Sequence, residues 1–560
     1  MSLGRCNAIL GVCVTPFGKR IERNGLRPKP YKKNSFMLLL GIDLGTSSVK
    51  VAVMDAGTHR VLASASFPDT EASILSKQPG WAEQSPDNWW QQVKEAIARA
   101  NATGAYDPQD IAAIGIAYQM HGLVLVDAAR RVLRDSIIWC DSRAVPYGDC
   151  AFGAIGERRS LERLLNSPGN FTAAKLAWVK DREPEIYERI DKVLLPGDFI
   201  ALRFTGETTT SISALSEGIF WDFEADGLSE DIFRVFGFDK RVIPEIRPVF
   251  SVHGGVTKEV AAELGLRKGI PVTYKAGDQP NNALSLNVIE PGEVAATAGT
   301  SGVIYGVSDE LTFDPESRVN SFAHVNYSPE ARRVGVLLCI NGTGILNRWI
   351  RDLAKGDYEQ LNEAAARIAP GSAGLSMLPF GNGAERIFHN RIIGAQLLNI
   401  DLNIHGPAHV YRAGQESIAF SFRYGLDIMR ENGMSPGIIR AGKANMFRSG
   451  VFTEAFVNAT GVPVELYNSD GSVGAALGAG IGAGISKHVT DGCPYCASFE
   501  APTSSRSFHI TICRIISFAL VRPRSQMFAD VREALFNRRH AWLSRHCAVR
   551  YRSPKIALIR

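Results

Sequence analysis

A short polar loop with the sequence DLGTSSVK, residues 43–50, follows the first apolar stretch of the orderly part of the chain. A glycine lets the backbone approach an anion closely, and N–H groups and hydroxyls can donate to phosphate oxygens. The loop offers these groups at Gly45, Thr46 and Ser47. Lys50 adds a positive charge, and Asp43 carries the carboxylate that Mg²⁺ takes directly or through water. The Walker A pattern is absent from it. Taken alone, the loop fits a phosphate site or an ordinary polar hairpin.

The same type of loop recurs about half a chain later. Residues 299–307 read GTSGVIYGV, against GTSSVKVAV at residues 45–53, and in both copies the GTS turn leads into an apolar strand. An internal repeat of this kind predicts two related domains, each presenting one GTS loop. The second loop offers its phosphate-binding groups at Gly299, Thr300 and Ser301. The repeat favours a phosphate clamp over two unrelated hairpins.

An aspartate stands at the end of a third apolar run. The segment PVTYKAGDQP predicts a buried strand that ends just before Asp278. A carboxylate at the mouth of a cleft can accept the proton of a hydroxyl that attacks a phosphoryl group. An aspartate that only caps a turn has the same local sequence, so both interpretations stay open at this point.

The turn YQMHG, residues 118–122, closes another apolar strand. Gln119 and His121 have side chains that hydrogen-bond sugar hydroxyls, and Met120 can pack on a carbon skeleton. A histidine in such a turn is also commonly a satisfied structural residue. Nearby polar and aromatic stretches add side chains that fit either packing or sugar stacking, namely Trp81, Trp139 and Asp141.

These loops need strands and helices to position them. Residues 37–55 predict a hairpin, and residues 86–102 predict a helix from apolar side chains at three- and four-residue steps. Strand and helix patterns keep alternating, which predicts an α/β protein. At 560 residues the chain exceeds what one core supports. We divide it into a basic extension outside the fold, two domains and an atypical basic tail, at residues 1–36, 37–286, 287–484 and 485–560.

Charge and cysteines follow the same division. The first segment carries a net charge of +7 and the last +9, while residues 37–484 carry −11. Basic ends could contact nucleic acid, but neither shows aromatic interleaving or a binding motif, so we expect no nucleic-acid partner. No apolar stretch is long enough to span a membrane. Nine sparse, unpaired cysteines fit a reducing cytoplasm.

Read in order, the motifs resemble those of the FGGY carbohydrate kinases. The resemblance covers roughly residues 37–484, and it rests on the segments DLGTSSVK, WAEQSPDNWW, QMHG, WCDSR, KVLLPGDF, GDQ, AGTSG and SVGAALGAG. The QMHG, WCDSR and KVLLPGD segments are most similar to the xylulose kinases of that family. The resemblance implies two actin-like (ribonuclease H-like) domains with an interdomain cleft. It also implies ATP and Mg²⁺ as cofactors, and it leaves a homodimer open.

The resemblance also assigns roles to residues. Asp278 is then the general base, Met120 and His121 contact the sugar, and Asp43 assists at the magnesium and phosphate site. Gln279 stands where many xylulose kinases have asparagine, and the pair Asp278-Gln279 is the one seen in glycerol kinases. The adenosine loop of the family corresponds to a segment with Lys443 in place of a glycine; its candidate nucleotide contacts are Gly442, Lys443 and Asn445. We expect residues 478–483, with the sequence GAGIGA, to form the small-residue face of a helix near the adenine pocket.

These observations predict an ATP-dependent sugar kinase, with D-xylulose as the favoured substrate and D-xylulose 5-phosphate as the product. Ribulose, fructose, glycerol or gluconate are alternative substrates, because Gln279 differs from the asparagine of many xylulose kinases and so weakens the choice of D-xylulose. A non-catalytic nucleotide-binding module of the actin or chaperone type is disfavoured, since neither Asp278 nor the QMHG turn is needed to bind ATP. The Arg- and Cys-rich tail after Gly484 reads as the product of a frame change, so a kinase disabled by it is a further alternative.

Overall fold

The computed structural model describes residues 37–486 and the backbone of residues 495–499. The basic extension predicted at residues 1–36 lies outside the described residues, as does most of the predicted tail. None of the described helices is long and apolar enough to cross a lipid bilayer.

Strands and helices alternate along the first part of this chain. Its strands are β1 (Leu38–Leu44), β2 (Val49–Asp55), β3 (Val61–Phe67), β4 (Glu83–Gln84), β5 (Ile111–Tyr118), β6 (Val124–Val126), β7 (Ser136–Ile137), β8 (Lys192–Leu194), β9 (Thr209–Thr210), β10 (Trp221–Asp222), β11 (Gly227–Leu228), β12 (Glu245–Ile246) and β13 (Val272–Gly277). Its helices are α1 (Pro86–Ala102), α2 (Val145–Ile155), α3 (Glu157–Leu164), α4 (Thr172–Arg182), α5 (Pro184–Tyr187), α6 (Pro196–Thr205), α7 (Ile212–Glu217), α8 (Glu230–Phe236), α9 (Lys258–Leu264) and α10 (Asp278–Ser285).

The second part continues the same alternation. Its strands are β14 (Val294–Ala298), β15 (Gly302–Ser308), β16 (Asn320–Ala323), β17 (Val334–Ile340), β18 (Ser376–Leu378), β19 (Gln396–Leu398), β20 (Ile439–Gly442), β21 (Val464–Tyr467) and β22 (Tyr495–Phe499). Its helices are α11 (Gly344–Ala354), α12 (Tyr358–Ala366), α13 (Pro407–Glu431), α14 (Gly450–Thr460) and α15 (Gly471–Gly482). The predicted α/β class is confirmed.

Two mixed sheets share one topology. The first has the order β13-β5-β1-β2-β3, and the second has the order β16-β17-β15-β14-β20-β21-β22. In both, an antiparallel hairpin carries the GTS loop, β1–β2 in the first sheet and β14–β15 in the second. Two further strands then join in parallel, β5 and β13 in the first, β20 and β21 in the second. The repeat noticed between the two GTS segments therefore extends to whole sheets.

The predicted helix at residues 86–102 forms with those bounds, because the sequence specifies both its start and its buried face. The Ser85 side chain accepts a hydrogen bond from the Asn88 backbone N–H, and Pro86 stands in the first turn, where its missing N–H costs nothing. Trp89, Trp90, Val93 and Ile97 are all buried. The helix packs against β2 and β3 and covers one face of the first sheet.

Helix α15 packs on the first sheet, although it comes late in the chain. A Cβ atom on Gly41 of β1 would lie 1.9 Å from the Ser472 carbonyl oxygen. A Cβ atom on Gly115 of β5 would lie 1.9 Å from the Ala475 carbonyl oxygen. Glycine is required at both strand positions because the helix backbone lies almost on the sheet. The small residues of this helix therefore serve its contact with β1, β5 and β13. Its expected position near the adenine pocket stays a prediction.

The two sheet-containing parts are also joined through β16. The Asn166 side chain donates to the Ser321 carbonyl oxygen at 2.6 Å and accepts from the Ser321 N–H at 3.1 Å. From α7, the Ser213 hydroxyl donates to the Ala323 carbonyl oxygen at 2.8 Å, and the Ser216 hydroxyl accepts from the Ala323 N–H at 2.9 Å. These buried bonds fix α7 to the second sheet.

Candidate active site

Three neighbouring strands bring the sequence-predicted residues to one edge of the first sheet. β1, β5 and β13 run parallel, with Asp43 opposite Ala117 and Gly277 opposite Tyr118. Carboxyl ends of parallel strands meet at the same sheet edge, so Asp43, the QMHG turn and Asp278 gather there. On the other side of β1, Asp43 pairs with Lys50 across the hairpin.

Asp278 is the first residue of α10, directly after β13. A Cβ atom on the preceding Gly277 would lie 2.6 Å from Met120 Cγ and 2.7 Å from Glu217 Oε2. A glycine at this position therefore lets Met120 and Glu217 pack directly beside the base candidate. Burial and the negative charge of Asp43 raise the pKa of Asp278 to about 7, and a hydrogen bond from the Gln279 side chain opposes that rise. A carboxylate with a pKa near neutrality suits a general base.

Asp43 faces the N-terminus of α15. A Cβ atom on Gly471 would lie 2.2 Å from Asp43 Oδ2, so only glycine fits opposite this carboxylate. Burial and the nearby charge of Asp470 raise the pKa of Asp43 to about 6, while Lys50 lowers it. Asp470 itself caps α15 by accepting from the N–H groups of residues 472 and 473. Within residues 37–486, no group of three or more acidic, histidine or cysteine side chains is arranged to hold a metal ion.

The first GTS loop is held by a chain of side-chain hydrogen bonds. The Thr46 hydroxyl donates to Gln119 Oε1 at 3.1 Å, and Gln119 Nε2 donates to Gln84 Oε1 at 3.0 Å. The exposed indole of Trp139 donates to Thr46 Oγ1 at 2.9 Å. Gln119 is 2% exposed and uses both ends of its amide inside the protein. These bonds have Gln119 hold the loop in place, and its predicted contact with a sugar stays a prediction. Trp139 lies at the loop surface.

His121 takes a left-handed backbone conformation with φ 62°. Its Nδ1 lies 2.9 Å from the Glu217 carbonyl oxygen, and its own carbonyl oxygen accepts from Lys175 Nζ at 2.8 Å. A carbonyl only accepts, so Nδ1 carries the proton and Nε2 keeps a lone pair. Burial and the charge of Lys175 lower the pKa of His121 to about 3. The ring is thus a neutral hydrogen-bond acceptor.

The second GTS loop borders a cavity of about 780 Å³ in the second part of the molecule. The Gly344 N–H at the start of α11 donates to the Gly299 carbonyl oxygen at 2.9 Å, and the Ile345 N–H donates to that of Thr300 at 3.1 Å. Gly299, Thr300 and Asn445 line the cavity together with residues of α11, α12 and α13. Asn445, with φ 51°, comes from the predicted adenosine loop. That loop and the second GTS loop therefore meet.

The other predicted nucleotide residues do not line this cavity. Gly442 ends β20, and the Lys443 N–H donates to the Tyr467 carbonyl oxygen at 2.8 Å. Ser301 follows Thr300 at the tip of the hairpin, just before β15. The side chain of Lys443 is exposed.

Two residues named as packing or stacking candidates prove to be structural. Asp141 is fully buried, pairs with Arg143 at 2.7 Å and accepts from the Ala82 N–H. The Arg143 guanidinium lies over the Trp81 ring, with Cζ 3.8 Å from the ring centroid. Sequence reasoning missed Glu217 and Lys175, which contact the QMHG turn. The available signal was a charged residue inside an apolar run, as in SALSEGIF and TAAKLAWV.

Family models and curated relatives match most of this chain. The model of the N-terminal domain of the FGGY family of carbohydrate kinases matches residues 38–285, and that of the C-terminal domain matches residues 294–486. A xylulose kinase of Escherichia coli (strain K12) is 31% identical over 444 residues, 79% of this chain and 88% of the relative. A xylulose kinase of Bacillus subtilis (strain 168) is 30% identical over 407 residues, 71% of this chain and 78% of the relative.

Solved structures share the fold. A kinase from Brucella ovis, described as a xyloylose kinase, superposes with a TM-score of 0.77 at 26% identity, covering 86% of this chain and 98% of that one. A gluconate kinase from Lactobacillus acidophilus superposes with a TM-score of 0.77 at 20% identity, and the match covers 88% of this chain and 100% of the gluconate kinase chain. At that identity the likeness shows the fold alone. With both domains matched and the actin-like kinase fold in place, the chain belongs to the FGGY family of carbohydrate kinases.

Proposed function

We propose that this protein phosphorylates D-xylulose with ATP, giving D-xylulose 5-phosphate and ADP. The observation that carries the proposal is the position of Asp278, directly after Gly277, which packs against Met120 of the QMHG turn, with a pKa raised to about 7. The similarity to xylulose kinases at about 30% identity supports the choice of sugar. The unpaired cysteines of the described chain support a cytoplasmic setting.

In this proposal the sugar lies on the QMHG turn. Met120 packs against its carbon skeleton, and His121 Nε2 accepts a hydrogen bond from one of its hydroxyls. Asp278 accepts the proton of the 5-hydroxyl as that oxygen attacks the γ-phosphorus in line. Gln279, bonded to Asp278, orients the carboxylate and contacts the sugar.

The two GTS loops would bind the phosphates of ATP, and the cavity beside Asn445 would take the adenosine. Mg²⁺ commonly binds through one or two carboxylates plus phosphate and water oxygens. Asp43, with Asp470 nearby, fits that donor set without a larger acidic cluster. When bound, the ion neutralises charge on the phosphates. Lys50, opposite Asp43 in the hairpin, adds a positive charge to the same edge.

Another sugar or polyol is the second candidate substrate, and Gln279 is the observation that favours it. A residue adjacent to the base helps decide which hydroxyl pattern is accepted, and glutamine is longer than asparagine. Ribulose, fructose, glycerol and gluconate are the compounds to compare. The gluconate kinase that shares the fold shows that this architecture is not tied to one substrate.

ADP release with a panel of these sugars tests the proposal. We expect D-xylulose to give the highest kcat/KM, and Asp278→Asn to lose about 10²–10⁴-fold in kcat. A matched control is Asp309→Asn, a change in the turn after β15, outside the site, which should keep wild-type turnover. Near-normal turnover by Asp278→Asn would overturn the assignment of the base.

A second arm addresses the tail. Part of it, β22, pairs antiparallel with β21 at the edge of the second sheet. We expect a variant that ends at Gly484 to retain sugar turnover if the tail lies outside the working fold. Loss of turnover on truncation, with the remaining chain still folded by circular dichroism, would show instead that the tail contributes to the enzyme.

A further inference from the structure

The side chain of Glu217 is buried without a charged partner at the floor of the candidate sugar site. Glu217 is 1% exposed, and its Oε1 atom has no hydrogen-bond partner. None of the ion pairs among the described residues includes it. An isolated carboxylate in such surroundings is costly, and a carboxyl group usually avoids the cost by keeping its proton.

The same residue contacts both halves of the site. Its Oε2 lies against Gly277, 2.7 Å from where a Cβ atom would stand, one residue before Asp278. Its backbone carbonyl oxygen accepts from His121 Nδ1 at 2.9 Å. Its carboxyl group is hydrogen-bonded to the Tyr118 hydroxyl at the end of β5. Glu217 therefore links the QMHG turn to the strand that carries the base.

The surrounding charges do not favour ionisation. Lys175, which interacts electrostatically with Glu217, already donates to the His121 carbonyl oxygen. Burial raises the pKa of Glu217 well above its ordinary range, and the bond from Tyr118 opposes this only in part. The titratable groups that face it from neighbouring elements are Tyr118 of β5, His121 of the turn, Lys175 of α4, Asp198 of α6, Asp278 of α10 and Tyr305 of β15.

We propose that Glu217 is a protonated carboxylic acid that positions the sugar-binding turn against the base. The enzyme then needs its shape and its hydrogen bonds and does not need its charge. The positioning role rests on the proposed sugar kinase function, whereas the protonated state does not.

Two variants separate these requirements. Glu217→Gln keeps the shape and can both donate and accept, but it cannot ionise. Glu217→Leu keeps a similar volume and loses both hydrogen-bonding atoms. We expect Glu217→Gln to hold the sugar KM within about threefold of the wild type, and Glu217→Leu to raise it about tenfold or more. The KM for ATP should stay unchanged in both, since α7 does not line the nucleotide cavity.

The pH profile distinguishes positioning from a charge effect. A neutral Glu217 does not influence the ionisation of Asp278, so Glu217→Gln should keep the acid limb of kcat/KM where it is in the wild type. An ionised Glu217 would hold the pKa of Asp278 up, and the limb would then move to lower pH in Glu217→Gln. A downward shift of half a pH unit or more, or a tenfold loss of kcat in this variant, would overturn the proposal.

Stability gives a readout that does not depend on turnover. A carboxyl group whose pKa is raised on folding contributes stability below its unfolded pKa and loses it as pH rises towards the folded value. Glu217→Gln should therefore have a higher unfolding midpoint than the wild type at pH 8, and this gain should shrink towards pH 5. A variant less stable than the wild type at pH 8 would contradict a protonated Glu217.

Amide hydrogen exchange tests the positioning role without a substrate. Protection of the segment 118–123 should be retained in Glu217→Gln and lost in Glu217→Leu. Unchanged protection in Glu217→Leu would overturn the positioning role. If the wild type turned over none of the sugars while the stability and exchange results held, the proposed function would fail and the inference about Glu217 would stand.

Discussion

The raised pKa of Asp278 predicts how the enzyme responds to pH. A general base works only when ionised, so activity is present above the pKa of Asp278 and is lost as pH falls below it. With that pKa at about 7, raised first by burial and then by Asp43, half of the molecules carry an active base near neutrality. At pH 6 about one molecule in ten does, and kcat/KM for the sugar should fall about tenfold per pH unit below that. An ordinary aspartate would give a flat profile over the same range.

Asp43→Asn tests the cause of this shift. The variant removes the negative charge that raises the pKa of Asp278, so the acid limb should move to lower pH even if kcat itself drops. Asp470→Asn is the matched control, because Asp470 raises the pKa of Asp43 and asparagine still caps a helix. We expect a smaller shift in the control.

The assay measures ADP in quenched samples by chromatography, because coupling enzymes have their own pH dependence. It uses constant ionic strength and Mg-ATP well below saturation, because bound Mg²⁺ would offset the charge of Asp43. kcat/KM for the sugar reports the groups of the sugar-free enzyme. A profile that stays flat from pH 5.5 to pH 8 would refute the reasoning about Asp278. So would an acid limb that keeps its position in Asp43→Asn.

Three further predictions concern single positions. His121→Leu should raise the sugar KM about tenfold or more by removing the acceptor nitrogen, and His121 should add no titration between pH 5 and 8, because its pKa is about 3. Gly344→Ala should raise the KM for ATP and spare that for the sugar, because the new Cβ would lie 2.3 Å from a carbonyl oxygen of the second GTS loop. Gly115→Ala should lower the free energy of unfolding by about 1–3 kcal/mol in denaturant titrations, because its Cβ would meet the backbone of α15 at 1.9 Å. Its control is Gly153→Ala on the exposed face of α2, where nothing lies within 4 Å of the new Cβ atom. We expect that change to raise the free energy of unfolding by about 0.5–1 kcal/mol. Equal destabilisation by Gly115→Ala and Gly153→Ala would contradict the packing argument. A changed sugar KM in Gly344→Ala, or an unchanged sugar KM in His121→Leu, would contradict the site assignments.

Local elements were predictable because their signals are local. The hairpin β1–β2 and helix α1 follow from alternation, from a polar turn and from Ser85 with Pro86 at the helix start. The edge position of Asp278 also followed, since a strand ending in a polar turn is visible in the segment PVTYKAGDQP. The recurrence of the GTS loop predicted two related domains, and the two mixed sheets, each with its own GTS hairpin, agree with that prediction.

Contacts between distant segments were not predictable. The QMHG turn predicts a sugar contact for Gln119, but nothing in the turn shows that Thr46 and Gln84 bond to both ends of the Gln119 amide. The contact of α15 with the first sheet could not be predicted for the same reason. A helix of small residues packs closely on something, but only the glycines at positions 41 and 115 identify the first sheet as its partner.

The return of α15 to the first sheet also affects synthesis of the protein. Strands β1 and β5 are made early, yet the helix that covers them begins at Gly471, more than 350 residues after Gly115. Until that helix leaves the ribosome, the face of the nascent sheet around these strands has no native cover. The first domain therefore cannot reach its final packing while it is being translated, and we expect the isolated fragment 37–286 to aggregate or bind chaperones. Adding residues 471–482 as a separate peptide should restore its solubility.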